Sequence, residues 1–583
     1  MAHYKSNIKK VIWNYIIIFF SIIGLIAFTT ILFPQVRQMI LDWSIQILHK
    51  EPFSHEMWLK LFLSLASGGI CFILFIDYCT LTSSGKAFVQ EVKQGIKNRL
   101  SEIDYNVFIK PVLFMFGIYL LGILTIIRAN FSYMDDLRRS IEGCRVWYDW
   151  NRYVPEFLSI FVHADTNLTD ISPLPQLLAI LILSISSILL IYIIGNGKIT
   201  ILSVIASIPL GLSPFYIECL SYKFDAPYMA LSILVSIIPF LFISHKKAFF
   251  FCSVISLLIM CITYQAASGL YIMIVLFLCF KNWNSRKETN KKILSFIGIS
   301  AAAFCLSMLL FKFFIMKSVE SEGFYTSTKI HSLTQLIPGI LNNIKSYAMA
   351  INYDLGVIWK IGIAIVCVFF TAKSVYTSSR KKILSLLLSI LYIGLSFITS
   401  YGIYLLLKKP LFYARAMPGF GVFLAILCIY IVSDYNKLAI ITVIALNWCF
   451  FVFSFSYGNA LADQARYAEF RIGLLLHDLS GLCINHHNEE ISIKIKNSID
   501  FAPTVKNIAK QYPVIEKLVP KRLGVTDNVI QRYYILDHFN FNQTKFDFIT
   551  LIDFDSMNLP VVLDTYYHTV QSDGENIIVT IKH

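Results

Sequence analysis

The sequence predicts an all-α polytopic membrane protein with a small C-terminal α/β domain, and three observations support that fold class. Of the 583 residues, 56% are hydrophobic and only 15% are charged, whereas a soluble domain has about 25% charged residues. The apolar residues form runs of about 20 or more, the helix length that crosses a hydrocarbon core. Charge density becomes ordinary only after residue 458. A soluble core could not bury so many such runs.

The basic residues give these runs a direction. The net charge is +14, and the lysines and arginines lie in short segments between apolar runs, which is typical of cytoplasmic loops rather than of nucleic-acid binding. Lys5, Lys9 and Lys10 precede the first run, so we predict a cytoplasmic N-terminus. An odd number of spans, about 13, then puts the C-terminal domain in the periplasm. The predicted spans are 11–33, 58–80, 108–128, 174–195, 198–215, 228–244, two within 248–280, then 293–315, 355–372, 383–407, 419–433 and 437–455.

The run 248–280 requires two helices rather than one. Basic residues border both of its ends, so both ends are predicted to be cytoplasmic. One helix cannot begin and end on the same side of a membrane. We therefore predict two short helices that meet near Tyr264 and Gln265, since broken helices are tolerated where they are buried or line a cavity.

The pattern predicts three domains. The first is a transmembrane hairpin followed by a cytoplasmic amphipathic helix at about 86–99. The second holds the remaining spans, and the third is a soluble periplasmic α/β domain with alternating segments at Phe546–Ile552 and Ile577–Ile581. The predicted boundaries are 1–107, 108–458 and 459–583.

The first long external loop of the prediction is the densest polar and aromatic segment of the chain. Asp135 and Asp136 follow a predicted span, and a carboxylate there can accept a proton from an attacking hydroxyl. Arg138 and Arg139 can bind a phosphate, and Trp147 can stack on a sugar. The alternative is a solvated loop whose aromatic residues belong to an interfacial belt.

Three further polar groups lie at the outer ends of predicted spans and at the tip of the short-helix pair. They comprise Tyr222, Lys223 and Asp225, then Tyr264 and Gln265, then Tyr413 and Arg415. Ionisable groups at a membrane edge are functional candidates by default, and a glutamine in an apolar setting needs hydrogen-bond partners. The alternatives are snorkelling cations with local ion partners, hydrogen bonds between helices, and a basic loop on anionic headgroups.

Two classes of site are not expected. The sequence has no phosphate-binding loop of the GxxxxGK[ST] type and no GxGxxG after a predicted strand, so we expect no soluble nucleotide cofactor. A dense cluster of metal-ligand residue types is formed by Cys483, His486, His487, Glu489 and Glu490. Its spacing matches no zinc pattern, so we expect an exposed loop and no metal.

Four segments, in this order, resemble the bacterial serotype-converting O-antigen glucosyltransferases of the Gtr type II family, which are membrane enzymes of the GT-C architecture. The segments are Tyr133-Met134-Asp135-Asp136, Ser221-Tyr222-Lys223-Phe224-Asp225-Ala226-Pro227, Tyr264-Gln265 and Tyr413-Ala414-Arg415. The resemblance covers about 108–460. It assigns no role to the first two predicted spans or to the C-terminal domain.

The resemblance implies a glycosyltransferase of the bacterial inner membrane, with 108–458 as the GT-C-like catalytic domain. It would move glucose from undecaprenyl phosphate-glucose to a hydroxyl of an O-antigen (lipopolysaccharide) sugar at the periplasmic face, and direct attack would invert the anomeric centre. A donor-synthesising glycosyltransferase would charge the lipid inside, and a flippase would turn it outward. The expected partners are thus this donor, the acceptor and membrane lipids, with no nucleic acid. No cofactor or metal is needed, because a lipid phosphate is already a good leaving group.

The resemblance also implies roles for single residues. The general base would be Asp135 or Asp136. The donor phosphate would be bound by Arg415 and Lys223, with Arg138 and Arg139 behind them. The sugar would be contacted by Tyr222, Asp225, Tyr264, Gln265, Tyr413 and Trp147.

Two other functions stay open at this point. An O-antigen polymerase or ligase is also polytopic and uses external arginines, but the paired aspartates of the first external loop favour a transferase. A transporter or flippase of lipid-linked sugars should place ionisable residues near mid-membrane. Here the polar groups gather at one predicted face, which weighs against transport.

Overall fold

The computed structural model describes residues 83–102, 104–316, 329–332, 334–434, 436–482, 490–523, 538–539, 545–547 and 557–582. The predicted spans 11–33 and 58–80 lie outside the described residues, as do residues 483–489 of the cysteine and histidine cluster.

Helices dominate the described part of the chain, so the predicted all-α character of the apolar region is confirmed there. In order they are α1 (Ser83–Glu102), α2 (Asn106–Ala129), α3 (Asp136–Glu142), α4 (Tyr153–His163), α5 (Leu174–Ile194), α6 (Ile201–Ala206), α7 (Pro209–Leu212), α8 (Ile217–Ser221), α9 (Ala226–Ile237), α10 (Lys246–Cys261), α11 (Ser268–Asn284), α12 (Asn290–Leu310), α13 (Leu336–Asp354), α14 (Val357–Tyr376), α15 (Lys382–Thr399), α16 (Gly419–Val432), α17 (Lys437–Leu482), α18 (Pro503–Gln511) and α19 (Ile515–Leu518). Short 3₁₀ helices occupy Tyr148–Trp150, Ile238–Phe242, Gln265–Ala267, Gly402–Leu406 and Ala414–Ala416.

The described residues fall into two compact units, one comprising α1 with residues 244–248 and the other comprising residues 104–243 with those from 249 onward. In the first unit, the Lys247 ammonium lies 2.6 Å from the Glu91 carboxylate and 5.3 Å from the centroid of the Phe88 ring. The helix predicted at 86–99 is confirmed.

Seven helices among the described residues are long and apolar enough to cross a membrane. They are Asn106–Ala129, Leu174–Ile194, Gln265–Asn284, Asn290–Leu310, Val357–Tyr376, Lys382–Thr399 and Lys437–Gly481. Three shorter apolar helices occupy Ile201–Leu212, Ala226–Phe242 and Gly419–Val432. In the second unit, α2 packs against α5 and α17, and the Ser454 hydroxyl donates to the Gly122 carbonyl. The predicted total of 13 spans and their sidedness stay predictions.

The run 248–280 forms two helices that meet where the sequence predicted. α10 ends at Cys261, Tyr264 has an extended backbone with φ −156° and ψ 104°, and α11 begins at Ser268. Next to this break, Gly269 lies so close to the Thr399 carbonyl that a Cβ atom would stand 2.0 Å from its oxygen. Glycine at this position therefore allows the start of α11 to pack against the end of α15.

Three predicted boundaries differ from the structure. The span predicted at 383–407 ends at Thr399, and Gly402 soon after it has a left-handed φ of 57°, which an α-helix cannot continue. The predicted external loop 316–353 contains α13. The span predicted at 437–455 continues unbroken as α17. The predicted boundary before the C-terminal domain therefore lies inside one helix, and the division into three domains stays a prediction.

Within the described residues, the C-terminal part contains a mixed five-stranded sheet in the order β2-β1-β5-β4-β3. The strands are β1 (Glu490–Lys496), β2 (Lys545–Asp547), β3 (Val561–Asp564), β4 (His568–Ser572) and β5 (Asn576–Ile581). β1 is parallel to β2 and β5, whereas β4 is antiparallel to β3 and β5. Ile493 and Val579 bury their side chains in one core with Leu479 of α17. The predicted strands are confirmed at Phe546 and over 577–581.

Candidate active site

The four polar segments singled out in the sequence meet in one network of contacts. Two segments between predicted spans are called the first loop (129–173) and the second loop (216–227). Arg139 of the first loop reaches the second loop, where its Nη1 lies 3.1 Å from Asp225 Oδ2. Arg152 places its guanidinium 4.9 Å from the centroid of the Tyr264 ring. The Tyr264 hydroxyl donates to the Arg415 carbonyl at 2.9 Å. The four segments therefore converge in the structure.

Asp135 is the exposed member of the aspartate pair. It immediately precedes α3, and its side chain makes no capping hydrogen bond. Arg139 lies one helical turn later, and the distance from Asp135 Oδ2 to Arg139 Nη2 is 2.9 Å. The Asp135 side chain is 44% exposed, whereas that of Arg139 is 3% exposed. Met134, just before it, has a left-handed φ of 44°, which is unfavourable for a residue with a Cβ atom. Asp135 is thus oriented by one cation and open on its other side.

Asp136 is completely buried. Its Oδ2 accepts the backbone N–H groups of Tyr133 at 2.9 Å and of Lys223 at 3.1 Å. Its Oδ1 is buried and accepts no hydrogen bond from the described residues. Burial, reinforced by the charge of Asp135, raises the pKa of Asp136 well above its ordinary value. The two backbone contacts tie the first loop to the second.

Asp225 lies at the centre of the buried part of the network. Its Oδ1 accepts the indole N–H of Trp147 at 2.6 Å and lies 3.7 Å from Arg152 Nη1. Arg139 stacks over the Trp147 ring at 4.2 Å. Trp147 has no exposed surface, so its ring supports Asp225 and Arg139 and is closed to a stacking sugar.

Lys223 has its own carboxylate partner. Its side chain is only 4% exposed, and Nζ lies 2.7 Å from Asp170 Oδ2. Asp170 is 33% exposed. The structure therefore neutralises this cation with an acid from the first loop that the sequence analysis did not single out.

Arg415 is held by Glu218, which the sequence analysis missed. Glu218 Oε2 accepts the Arg415 backbone N–H at 2.7 Å, and Oε1 lies 3.3 Å from Arg415 Nη1. Glu218 is fully buried, which raises its pKa, while Arg415 acts in the opposite direction. Arg415 also donates to the Tyr222 hydroxyl. The available signal was a single carboxylate at the end of the predicted span 198–215, since an ionisable group at a membrane edge is a functional candidate by default.

The remaining candidates lie nearer the margin of the network. Tyr413 is 36% exposed, with the Arg415 guanidinium 5.4 Å from its ring centroid. Gln265 donates to the Cys261 carbonyl at 2.6 Å. Arg138 pairs with Glu142 on the outer face of α3 at 2.9 Å. Arg138 therefore stands apart from the converging segments.

The network combines a partly exposed carboxylate with buried cations, each of which already has an acidic partner. A carboxylate held by one arginine suits proton abstraction from a hydroxyl, and arginine suits a phosphate. The described residues include no group of three or more His, Cys, Asp or Glu side chains that could hold a metal ion. The chemistry that these side chains support directly is transfer from an anionic leaving group to a hydroxyl.

The family model described as Glucosyl transferase GtrII matches residues 124–427 of this chain. That range contains every residue of the converging segments. A protein of Salmonella phage P22, described as an uncharacterized 55.3 kDa protein in the gtrB 5′ region, is 25% identical over 437 residues, which are 71% of this chain and 87% of that protein. No solved structure matches the chain. The match over more than half of the sequence, at the segments that build the network, establishes that the chain belongs to the GtrII glucosyltransferase family and is a glycosyltransferase.

Proposed function

We propose that the chain transfers glucose from undecaprenyl phosphate-glucose to a hydroxyl of an O-antigen sugar, with inversion, at the periplasmic face of the inner membrane. The supporting observation is the contact path from Asp135 through Arg139 to Asp225, with Arg415 in the same network. From Asp225 the path continues through Arg152 to Tyr264. The Tyr264 hydroxyl donates to the Arg415 carbonyl, so one network contains the proposed base and the proposed phosphate-binding cation. A donor with an isoprenoid tail, a phosphate and a sugar needs such a site beside the bilayer.

Asp135 is the general base in this proposal. A base must come within hydrogen-bond distance of the acceptor hydroxyl, and Asp135 is 44% exposed whereas Asp136 is fully buried. The hydroxyl oxygen bonds to the anomeric carbon while its proton passes to Asp135. The bond from that carbon to the phosphate oxygen breaks, and its electron pair leaves with the phosphate. Attack from the opposite side inverts the anomeric centre.

Arg415 is the principal donor-phosphate ligand. It is 12% exposed, and its planar guanidinium can form two parallel hydrogen bonds with a phosphate. Glu218 and Tyr222 fix its orientation, so little side-chain entropy is lost on binding. Lys223 is buried beneath its partner Asp170 and contributes positive charge without direct contact with the phosphate. Arg139, held between Asp135 and Asp225, orients the base.

The glucose would lie among the less buried polar and aromatic side chains. Tyr413 is exposed enough to pack against a sugar ring, and the half-buried Gln265 lies in the break between α10 and α11. Tyr264, in the same break, is buried and supports Arg415 through its hydroxyl. Asp225, Tyr222 and Trp147 hold the arginines in place. A flippase and a donor-synthesising glycosyltransferase would supply the lipid-linked donor from the other side of the membrane.

A transfer assay with the purified chain in lipid vesicles tests the proposal. The vesicles carry polyprenyl phosphate-glucose, and purified O-antigen is the acceptor. We expect transfer from this donor and none from UDP-glucose. Transfer from the nucleotide sugar, or none from the lipid donor, would contradict the proposal.

The base assignment has a matched control within the same loop. Asp135→Asn should lower the rate about 10²- to 10⁴-fold, the contribution of a general base. Asp149→Asn makes the same chemical change at an exposed position and should leave the rate unchanged. Asp136→Asn should retain most activity, because an amide oxygen can accept the same two backbone N–H groups. Equal activity of Asp135→Asn and wild type would remove the assignment.

A further inference from the structure

Residues 499–523, which lie beyond the family-matched range, form a folded segment that contacts the first loop, the one that carries Asp135. The Ile499 N–H donates to the Arg522 carbonyl at 2.9 Å, so the two ends of the segment are joined. Between them lie α18 and α19, with Val505, Val514 and Leu518 completely buried. A segment that is closed at its ends and closely packed is rigid, so it can hold the residues that it contacts in a fixed position.

The 499–523 segment makes three contacts with the residues just before Asp135. The Tyr133 hydroxyl donates to the Leu518 carbonyl at 2.8 Å. Arg522 Nη2 donates to the Ser132 carbonyl at 2.6 Å, and its guanidinium lies 4.5 Å from the centroid of the Phe131 ring. Three successive residues of the loop are thus held from the C-terminal side.

These contacts bear on a strained point of the backbone. Met134 has a left-handed φ of 44°, and such a conformation persists in a residue with a side chain only where its surroundings fix it. Within the loop, Asp136 accepts the Tyr133 N–H. From the 499–523 segment, Arg522 and the Leu518 carbonyl bind Ser132 and Tyr133. The orientation of the Asp135 side chain therefore depends on both sets of contacts.

The same segment is anchored to the rest of the second unit. The Lys517 ammonium lies 2.6 Å from the fully buried Asp354 carboxylate, and the Tyr512 ring stacks on Trp359 at 5.3 Å. The Tyr457 hydroxyl bonds to both the Ser221 hydroxyl at 2.7 Å and the Leu518 carbonyl at 3.4 Å. The segment thus connects the first and second loops to the helical scaffold.

We propose that the 499–523 segment positions Asp135 for transfer, with Arg522 as the positioning residue that acts on it most directly. The proposal rests on the function proposed above, because it takes Asp135 as the base. It assigns part of the catalytic geometry to residues outside the range that defines the family.

Arg522→Ala is the variant that tests the proposal. Because a misplaced base slows the chemical step more than it weakens binding, kcat should fall about 10- to 100-fold while the KM for the lipid donor stays within about twofold. Arg522→Lys keeps a cation over Phe131 and a donor for the Ser132 carbonyl, so it should restore most of kcat. Arg466→Ala is the matched control. Arg466 lies on α17 outside the 499–523 segment and its side chain is 76% exposed, so its loss should leave kcat unchanged.

Hydrogen exchange separates this proposal from the proposed function. In Arg522→Ala, the amides of residues 131–142 should exchange faster than in wild type, while those of α5 and α11 should not change. Faster exchange confined to the loop, together with the selective loss of kcat, supports the positioning role. Wild-type kcat in Arg522→Ala, or unchanged exchange in 131–142, would overturn it. A wild-type chain that transfers nothing from the lipid donor refutes the proposed function instead, and the exchange result still decides whether the segment holds the loop.

Discussion

The cations at the two ends of the apolar helices have different kinds of partner. α5 and α11 both run from the active-site network to a second cluster, where residues 194–198, 281–290, 373–382 and 430–434 meet; we call this the basic end. In the network, Arg139, Lys223 and Arg415 each face a carboxylate.

At the basic end, cations mostly bind backbone carbonyls. Lys281 donates to the Ile194 carbonyl, Arg380 to the Trp283 carbonyl at 3.1 Å, and Lys382 to the Val375 carbonyl at 2.8 Å. Two carboxylates also take part: Asp434 lies 3.0 Å from Lys373, and Glu288 lies 3.0 Å from Lys292.

The difference has a physical reason. The last carbonyls of a helix have no partner within the helix, and cations near them also interact favourably with the helix dipole. Such contacts need only a basic residue close in sequence to a helix end. The network instead pairs buried charges from distant segments, and removal of one partner leaves the other charge uncompensated. The cations of the basic end therefore stabilise helix ends, whereas those of the network form specific ion pairs between distant segments.

The largest effect is expected from breaking the buried pairs of Arg139. Arg139→Ala removes the cation shared by Asp135 and Asp225 and should destabilise the protein by about 3–5 kcal/mol, measured by thermal unfolding in detergent. Arg138→Ala is the matched control, since its partly exposed pair with Glu142 should contribute about 0.3–0.5 kcal/mol. Similar losses in the two variants would contradict the distinction between buried and exposed pairs.

Arg415→Ala should mainly affect activity. Loss of the phosphate-binding cation should lower the transfer rate about 10²- to 10³-fold. Arg380→Ala removes an arginine of the basic end, and its transfer rate should stay within about twofold of wild type. The comparison would fail if both variants lost activity to the same extent when equal amounts of folded protein were assayed.

The buried carboxyl group of Asp136 should make the stability of the protein depend on pH. Because its pKa is raised by burial, the folded state binds the proton more tightly than the unfolded state. Ionisation therefore costs stability as the pH rises above the ordinary aspartate range. Asp136→Asn removes this cost, so its Tm relative to wild type should increase between about pH 4 and pH 7. A Tm difference that falls as the pH rises would refute the assignment.

The smallest effect is expected at the basic end. Lys382→Ala removes hydrogen bonds to the Val375, Tyr376 and Ser378 carbonyls, but these carbonyls lie near solvent and can bind water. The free energy of unfolding should fall by about 0.5–1 kcal/mol, with an unchanged transfer rate. If Lys382→Ala lowered the free energy of unfolding as much as Arg139→Ala does, the proposed difference between the two ends would be wrong.

Much of the fold follows from local sequence. Run length predicted the apolar helices, and basic residues at both ends of 248–280 predicted its division near Tyr264. Helix ends that depend on a neighbour were not predictable. After α15, Gly402 takes a left-handed conformation that does not continue the helix, and it packs against Ser268 and Gly269. No pattern in the local sequence predicts that contact.

The sequence by itself determined the membrane class, the order of the polar segments and most of the residues that meet in the network, because each depends on residue type and spacing along the chain. Tertiary structure decided which aspartate is exposed and which acid holds Arg415. Glu218 and Arg415 are 197 positions apart, and Ser132 and Arg522 are 390 apart. Contacts over such separations come from packing between helices, and packing leaves no periodic signal in either segment.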